Sequence, residues 1–257
     1  MSAVMKPAKR IADLVSPEEW CARQELACAY RLFDHFGWHE LIYNHITVRV
    51  PGERGHFLIN PFGLMYREVT ASNLVKVDID GQIVLGEHPI NRAGFVIHSA
   101  IHRAREDAHA VAHTHTTAGQ AVSCQEHGLL PMSFSAAMFH DRIAYHDFEG
   151  ITLDLDEQER LLADLGGKDV MILRNHGLLT CGPTLADAFQ EMYQLQRSCE
   201  VQIAALAGGT RVILLREELA IRATNQFART ARNGVENRMM FDAMTRWMVD
   251  KDPSFLE

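Results

Sequence analysis

Ala110-Val111-Ala112-His113-Thr114-His115 is a short apolar run that ends in two histidines spaced by two. Side chains alternate faces along an extended chain, so a strand here points His113 and His115 to the same side. Before this run, residues 91–105 show helical periodicity, with Phe95, Ile97, His98 and Ile101 on or near one face. After it, residues 142–145 and 169–173 read as strands, separated by a helix over 156–165 that ends at Gly166-Gly167. Asn175-His176-Gly177 makes a second histidine-bearing turn directly after the later strand.

Toward the N-terminus, Ser16-Pro17-Glu18-Glu19 reads as a helix start, with a serine cap, proline in the first turn and a glutamate placed to close a capping box. Apolar spacing continues to Phe33. Residues 46–50 and 56–60 flank Pro51-Gly52-Glu53-Arg54-Gly55, and residues 74–79 and 82–85 flank Asp80-Gly81, which predicts two successive hairpins and an antiparallel early sheet.

Toward the C-terminus, Thr184 caps a helix whose stripe is Leu185, Ala188, Phe189, Met192, Leu195, Cys199, Ile203 and Leu206, closed by Gly208-Gly209. Residues 225–249 are also helical in pattern, and Phe227, Met239, Met240, Phe241, Met244, Trp247 and Met248 need a core or a neighbouring subunit to cover them. Strands interspersed with helices predict an α/β fold whose sheet is covered on both faces. No repeat or linker divides the chain, so one domain over residues 1–257 is expected, with 210–257 as a helical extension.

The composition is that of an ordinary globular protein, with 257 residues, 47% hydrophobic and 23% charged. Thirty-three acidic against 25 basic residues give a net charge of −8, and no Lys/Arg run interrupts it. That excludes the electrostatic footprint of a nucleic-acid or anionic-lipid partner and favours a small-molecule substrate. No apolar core of signal-peptide length follows the basic residues 1–10, and no stretch of about 18 apolar residues could span a bilayer. A cytoplasmic location is expected. The five cysteines (Cys21, Cys28, Cys124, Cys181, Cys199) are scattered and never form C-x-x-C, which argues against a disulfide framework and a thiolate zinc site.

His113 and His115 stand close enough to grip one metal ion, although fourteen histidines in 257 residues produce such a spacing about once by chance. His176 follows another strand and precedes Gly177, where a backbone without Cβ can turn sharply beside an ion. A plain hydrogen-bonded turn histidine is the competing reading of His176. Three neutral imidazoles suit zinc first, and also manganese, cobalt or iron, and leave a coordination position open as catalytic sites do.

Tyr43-Asn44-His45-Ile46-Thr47, Phe57-Leu58-Ile59-Asn60-Pro61-Phe62-Gly63, the His113-Thr114-His115 strand end and Arg174-Asn175-His176-Gly177, in that order, resemble the class II aldolase/adducin family over roughly residues 18–210. The resemblance implies a three-layer αβα fold with a mostly antiparallel central sheet. It also implies a divalent metal on His113, His115 and His176, and a homotetramer with sites at subunit boundaries. Asn44 and Thr47 fall on one loop, and Gly63 on a second, that hold substrate phosphate in the family.

Family members that cleave sugar phosphates carry Ser-Ser-Glu before a helical histidine. With that histidine at His98, the three positions are Arg92, Ala93 and Gly94 here. The family's carboxylate is therefore absent, and losing such a group removes roughly two to four powers of ten of acid/base assistance. Asn60 and Phe62 also replace hydroxyl residues of the second phosphate loop. Arg92 offers a planar fork for a carboxylate. The expected activity is that of a metal-dependent lyase acting through a metal-stabilised enolate, by retro-aldol cleavage or decarboxylation, with His140, Tyr145 and His146 as candidate proton donors. Two other classes fit the same residues: an adducin-like scaffold without catalysis, and a mononuclear iron oxygenase.

Overall fold

The computed structural model describes residues 10–150, 156–230 and 234–257. Ser16 starts the first helix, α1 (Pro17–Phe36), by accepting a hydrogen bond from the Glu19 amide at 3.1 Å, and Gly37 ends it at φ 70°. The expected capping box is not made. The buried Glu19 carboxylate accepts instead from Arg23 Nε at 2.9 Å and Lys76 Nζ at 2.8 Å, tying α1 to the sheet.

Eight strands form one sheet among the described residues: β1 (His45–Arg49), β2 (His56–Ile59), β3 (Val75–Asp78), β4 (Ile83–Leu85), β5 (Ala110–Thr114), β6 (Ile143–His146), β7 (Val170–Leu173) and β8 (Gly177–Gly182). Their order is β4-β3-β2-β1-β5-β8-β7-β6, and each neighbouring pair is antiparallel except β6 with β7. The two early hairpins stand where the turn residues place them.

The helices are α2 (Arg92–Ala104), α3 (Thr117–Ser123), α4 (Asp156–Leu165), α5 (Leu185–Ala207), α6 (Glu217–Thr230) and α7 (Val235–Lys251), after α1. Alternation along the strands divides the core. Ile46, Val48, Ala110, Ala112, Val170 and Ile172 pack against α1, α5 and α7 on one face. Val111, Met171 and Leu179 pack against Ile97 and Ile101 of α2 and Leu161 and Leu165 of α4 on the other. The architecture is thus three layers, αβα, with a mixed, mostly antiparallel sheet.

Three elements depart from the pattern-based reading. β8 is buried at all six positions, so it has no period-two alternation to announce it. α3 is seven residues long, too short for a periodic stripe. The stretch 225–249 is two helices rather than one: α6 ends at Thr230 and α7 starts after Gly234 at φ 67°, while residues 231–233 lie outside those described. Phe241, Met248 and Phe255 of the C-terminal part are buried in the chain's own core, and the Ala71 and Ser72 amides donate to the Phe255 and Glu257 carbonyls. Val235 and Met239 remain exposed at 57% and 65%. Among the described residues, no helix is long and apolar enough to cross a membrane.

Glu19 and Arg23 are almost wholly buried, so Glu19→Ala leaves the guanidinium without its counter-ion, while the Lys76 ammonium keeps Glu53 at 2.7 Å. Breaking a buried pair from one side costs about 3–5 kcal/mol. Urea unfolding of the variant is expected to show a loss of that size, and a loss below about 1 kcal/mol would contradict the tie.

Candidate metal centre

The centre is built at one end of the sheet by the flanks of β5. On one side β1 pairs with it in the register His45↔His113, and on the other β8 pairs in the register His113↔Leu179 and Thr114↔Leu178. β7 and β8 form a hairpin closed at Leu173↔Gly177, so Arg174-Asn175-His176 is its connection and emerges beside the end of β5. Asn175 takes a left-handed φ of 55° in that turn. Gly177 has a different reason to be glycine from the sharp turn that the sequence suggests. A Cβ there would run into the Thr114 carbonyl of β5, so close strand approach excludes any side chain.

His113, His115 and His176 consequently meet, with one potential ligand atom from each all within 4.8 Å of one another. Hydrogen bonds fix the rings of the first two. His113 Nδ1 lies 2.8 Å from the Leu178 carbonyl, which can only accept, so this nitrogen carries the proton and Nε2 is bare. His115 Nδ1 lies 2.6 Å from Glu40 Oε2 and donates in the same way. The Nε2 atoms of the two rings face each other at 2.7 Å. With a proton on neither, the facing lone pairs would repel, and a cation between or beside them would relieve that repulsion. Burial, followed by neighbouring His115 and His176, holds His113 well below the ordinary histidine value. Burial and His115 bring His176 down to about 4. Imidazoles oriented by a carbonyl and a carboxylate are a donor set that suits a divalent ion.

Position 94 opens toward this centre. A Cβ on Gly94 would lie 2.5 Å from His45 Cε1 and Nδ1, so the space beside residue 94 is filled by an imidazole. The His45 ring sits 4.3 Å from that of His98 and 5.4 Å from that of His113, centroid to centroid. The His45 ring of β1 thus occupies the space that any side chain at position 94 would need.

Asn44 is buried beside His45, with neither amide atom paired among the described residues. Thr47 is fully buried, its hydroxyl shared by His98 Nδ1 at 2.7 Å and His102 Nε2 at 2.8 Å, so it faces α2 rather than an open loop. Gly63 (φ 102°) and Arg92, the first residue of α2, are exposed. Their loops meet the one carrying Asn44: Asn91 Nδ2 donates to the Tyr43 carbonyl at 3.0 Å, and Phe62 N to the Pro89 carbonyl at 2.8 Å.

His146 ends β6 at the same end of the sheet, with Nδ1 2.7 Å from Asp164 and Nε2 3.7 Å from Glu157, and it lines a small recess with His176. Tyr145 points to the opposite face, where its hydroxyl accepts from the Leu129 amide at 3.1 Å and its ring stacks under Arg174. His140 precedes β6 and stands at the far end of that strand from the three histidines. Glu40, His45 and Glu157 escaped the sequence reading. Only the register His45↔His113 reveals the second, and no local pattern marks the other two.

The model of the Class II Aldolase and Adducin N-terminal domain matches residues 24–203, and the chain belongs to this family. A Pseudomonas aeruginosa protein carrying only a provisional class 2 aldolase name is 44% identical over 258 residues, covering 99% of each chain. Alpha-adducin of Mus musculus is 49% identical over 203 residues, which are 75% of this chain but 27% of the adducin. A solved aldolase II superfamily protein from Pseudomonas syringae matches with TM-score 0.93 and 49% identity, over 96% of this chain and 99% of that one. L-fuculose 1-phosphate aldolase from Glaciozyma antarctica matches with TM-score 0.80 and 29% identity, over 95% and 96%.

The contact between Gly94 and His45 predicts a double-mutant result. Gly94→Ala forces the ring aside and is expected to destabilise by about 1–3 kcal/mol, as overpacking of a tight interior does. In a His45→Ala background the same change is expected to cost little. Equal costs in the two backgrounds, measured by urea unfolding, would show that the ring does not occupy this space.

Proposed function

We propose that the chain is a metal-dependent carbon–carbon lyase, holding one divalent ion through His113, His115 and His176 and acting on a small hydroxylated or carboxylated carbonyl compound. The observation that carries this reading is the convergence of the three rings: the Nε2 atoms of His113 and His115 face each other at 2.7 Å, and His176 completes a triangle of ligand atoms within 4.8 Å of one another. Zinc is the first choice, and manganese, cobalt and iron accept the same donors. An ion held there would supply Lewis acidity, polarising a substrate carbonyl and stabilising the negative charge left on carbon in retro-aldol cleavage or decarboxylation.

The remaining tasks belong to the chain. The Leu178 carbonyl and Glu40 keep two ligand rings in the binding tautomer. Arg92, exposed where the loops of Asn44 and Gly63 converge, is the group we assign to a substrate carboxylate. Asn44 brings an unpaired amide to the same end of the sheet. His146, between Asp164 and Glu157 and beside His176, is our proton-transfer candidate. His140 and Tyr145 would need another route to the centre than the one their own subunit provides. Gly94 and Phe62 make a sugar phosphate a poorer fit than a carboxylic acid. We assign the chain to the cytoplasm, in keeping with five free cysteines. We assign a homotetramer, supported by the exposed apolar residues of α7; a monomer in micromolar sedimentation runs would refute that assembly.

A second reading rests on one comparison: identity to alpha-adducin is 49%, against 29% to the fuculose phosphate aldolase. On it, the chain is a binding module without catalysis. Metal analysis of protein purified without chelator or affinity metal separates the two. Near one equivalent of metal is expected, lost in His113→Ala and His176→Ala, with affinity weakened roughly 10–100-fold in Glu40→Ala. Metal-loaded protein should then release an aldehyde from 4-hydroxy-2-oxo acids by retro-aldol cleavage, or carbon dioxide from 3-oxo acids. Metal-free protein that takes up none of the four ions would favour the binding module.

A further inference from the structure

The ring of His45, in contact with those of His113 and His98, has a buried Nε2 without a partner among the described residues; so has His98, and both amide atoms of neighbouring Asn44 are unpaired as well. His45, His98 and Asn44 are 4%, 0% and 1% exposed, respectively. Buried polar groups are normally paired, so several orphans in one place mark a position built to meet something else.

The protons on these rings follow from a chain of contacts that starts at a backbone carbonyl. His102 Nδ1 lies 3.2 Å from the Ala108 carbonyl and must donate to it, which leaves His102 Nε2 bare. That bare nitrogen, 2.8 Å from Thr47 Oγ1, takes the one hydroxyl hydrogen. Having spent it, Thr47 Oγ1 can only accept from His98 Nδ1 at 2.7 Å, so His98 carries its proton on Nδ1 and Nε2 is bare. His45 reaches the same state separately, because its Nδ1 lies 3.3 Å from the Tyr43 carbonyl. All of these rings are buried, and burial brings His102 down to about 3, so the chain of contacts starts from a neutral imidazole.

Two bare imidazole nitrogens thus belong to rings whose centroids are 4.3 Å apart, the His45 ring lying 5.4 Å from that of His113. Such a pair accepts hydrogen bonds and cannot donate, so it disfavours an anion and suits a hydroxyl. We propose that His45 and His98 form a hydroxyl-binding subsite of the metal centre, with Thr47 as the positioning residue that fixes the tautomer of His98 and Gly94 as the gap that admits the His45 ring. The inference rests on the metal reading above and narrows its substrate class. The ligand carries a hydroxyl close to the group that chelates the ion, and its carboxylate, if it has one, lies elsewhere.

The test uses two hydroxamates that differ by one hydroxyl, acetohydroxamate and glycolohydroxamate, titrated calorimetrically into zinc-loaded protein. The wild type is expected to bind the hydroxylated probe about five- to tenfold more tightly, the contribution of one or two neutral hydrogen bonds. His45→Leu and Thr47→Val should lose most of that preference, while affinity for acetohydroxamate, which offers the subsite nothing, changes far less. Nitrogen-15 spectra of the wild type should show protonated Nδ1 and bare Nε2 on both His45 and His98, a readout that does not depend on the variants folding. Equal binding of the two probes, a preference that survives in both variants, or Nε2-protonated rings would overturn the subsite alone. Failure of zinc-loaded protein to bind acetohydroxamate would overturn the metal reading and the subsite together.

Discussion

The pairing of β5 with β1 on one side and β8 on the other is the constraint on which the rest of the centre depends. Because side chains alternate along a strand, fixing the register of His113 against His45 and Leu179 decides which groups share a face. A slip of one residue would turn His113 into the α1 and α5 core and bring alanine to the centre. The apolar residues around it oppose that slip: Ala110 and Ala112 pack under one helical layer and Val111 under the other. The same pairing supplies the Leu178 carbonyl that orients His113 and the close strand approach that makes residue 177 a glycine. Packing and the convergence of the histidine rings are thus specified by one set of backbone contacts.

Much of this was legible in the sequence, for physical reasons that differ by element. Ser16, Pro17 and Gly37 announce α1 because capping chemistry is local, and Asp80-Gly81 announces its hairpin because a tight turn needs particular residues. His113, His115 and His176 could be proposed as one group because each follows an apolar strand. What could not be read depended on distance in sequence. Glu40 and His115 are separated by 75 positions, and nothing local at Glu40 marks it as a ring-orienting carboxylate. β8 was hidden because burial on both faces erases alternation. Glu19 has the spacing of a capping box, yet its carboxylate is drawn to Arg23 and Lys76, where two buried cations require it more strongly than a helix terminus does.

Gly94 is where sequence and structure bear most on each other. As sequence, the resemblance sets this glycine where sugar-phosphate-cleaving members carry a glutamate, which reads as a deletion of function. In the structure the space beside residue 94 holds the ring of His45, and the surrounding contacts place protons on Nδ1 of that ring and of its neighbour His98. Neutral acceptors at this place bear on which ligand group is welcome beside the three histidines without altering those histidines, and a family that contains both aldolases and adducins has room for such divergence.

Anomalous diffraction from crystals of protein purified without added metal, collected on both sides of the zinc, iron, cobalt and manganese absorption edges, tests the central claim most directly. The account predicts one strong peak at about 2.0–2.2 Å from an imidazole nitrogen of each of His113, His115 and His176, with Glu40 still bonded to the far side of His115. Absence of a peak between these rings after soaking in each of the four metals, or a peak held by other residues, would contradict it.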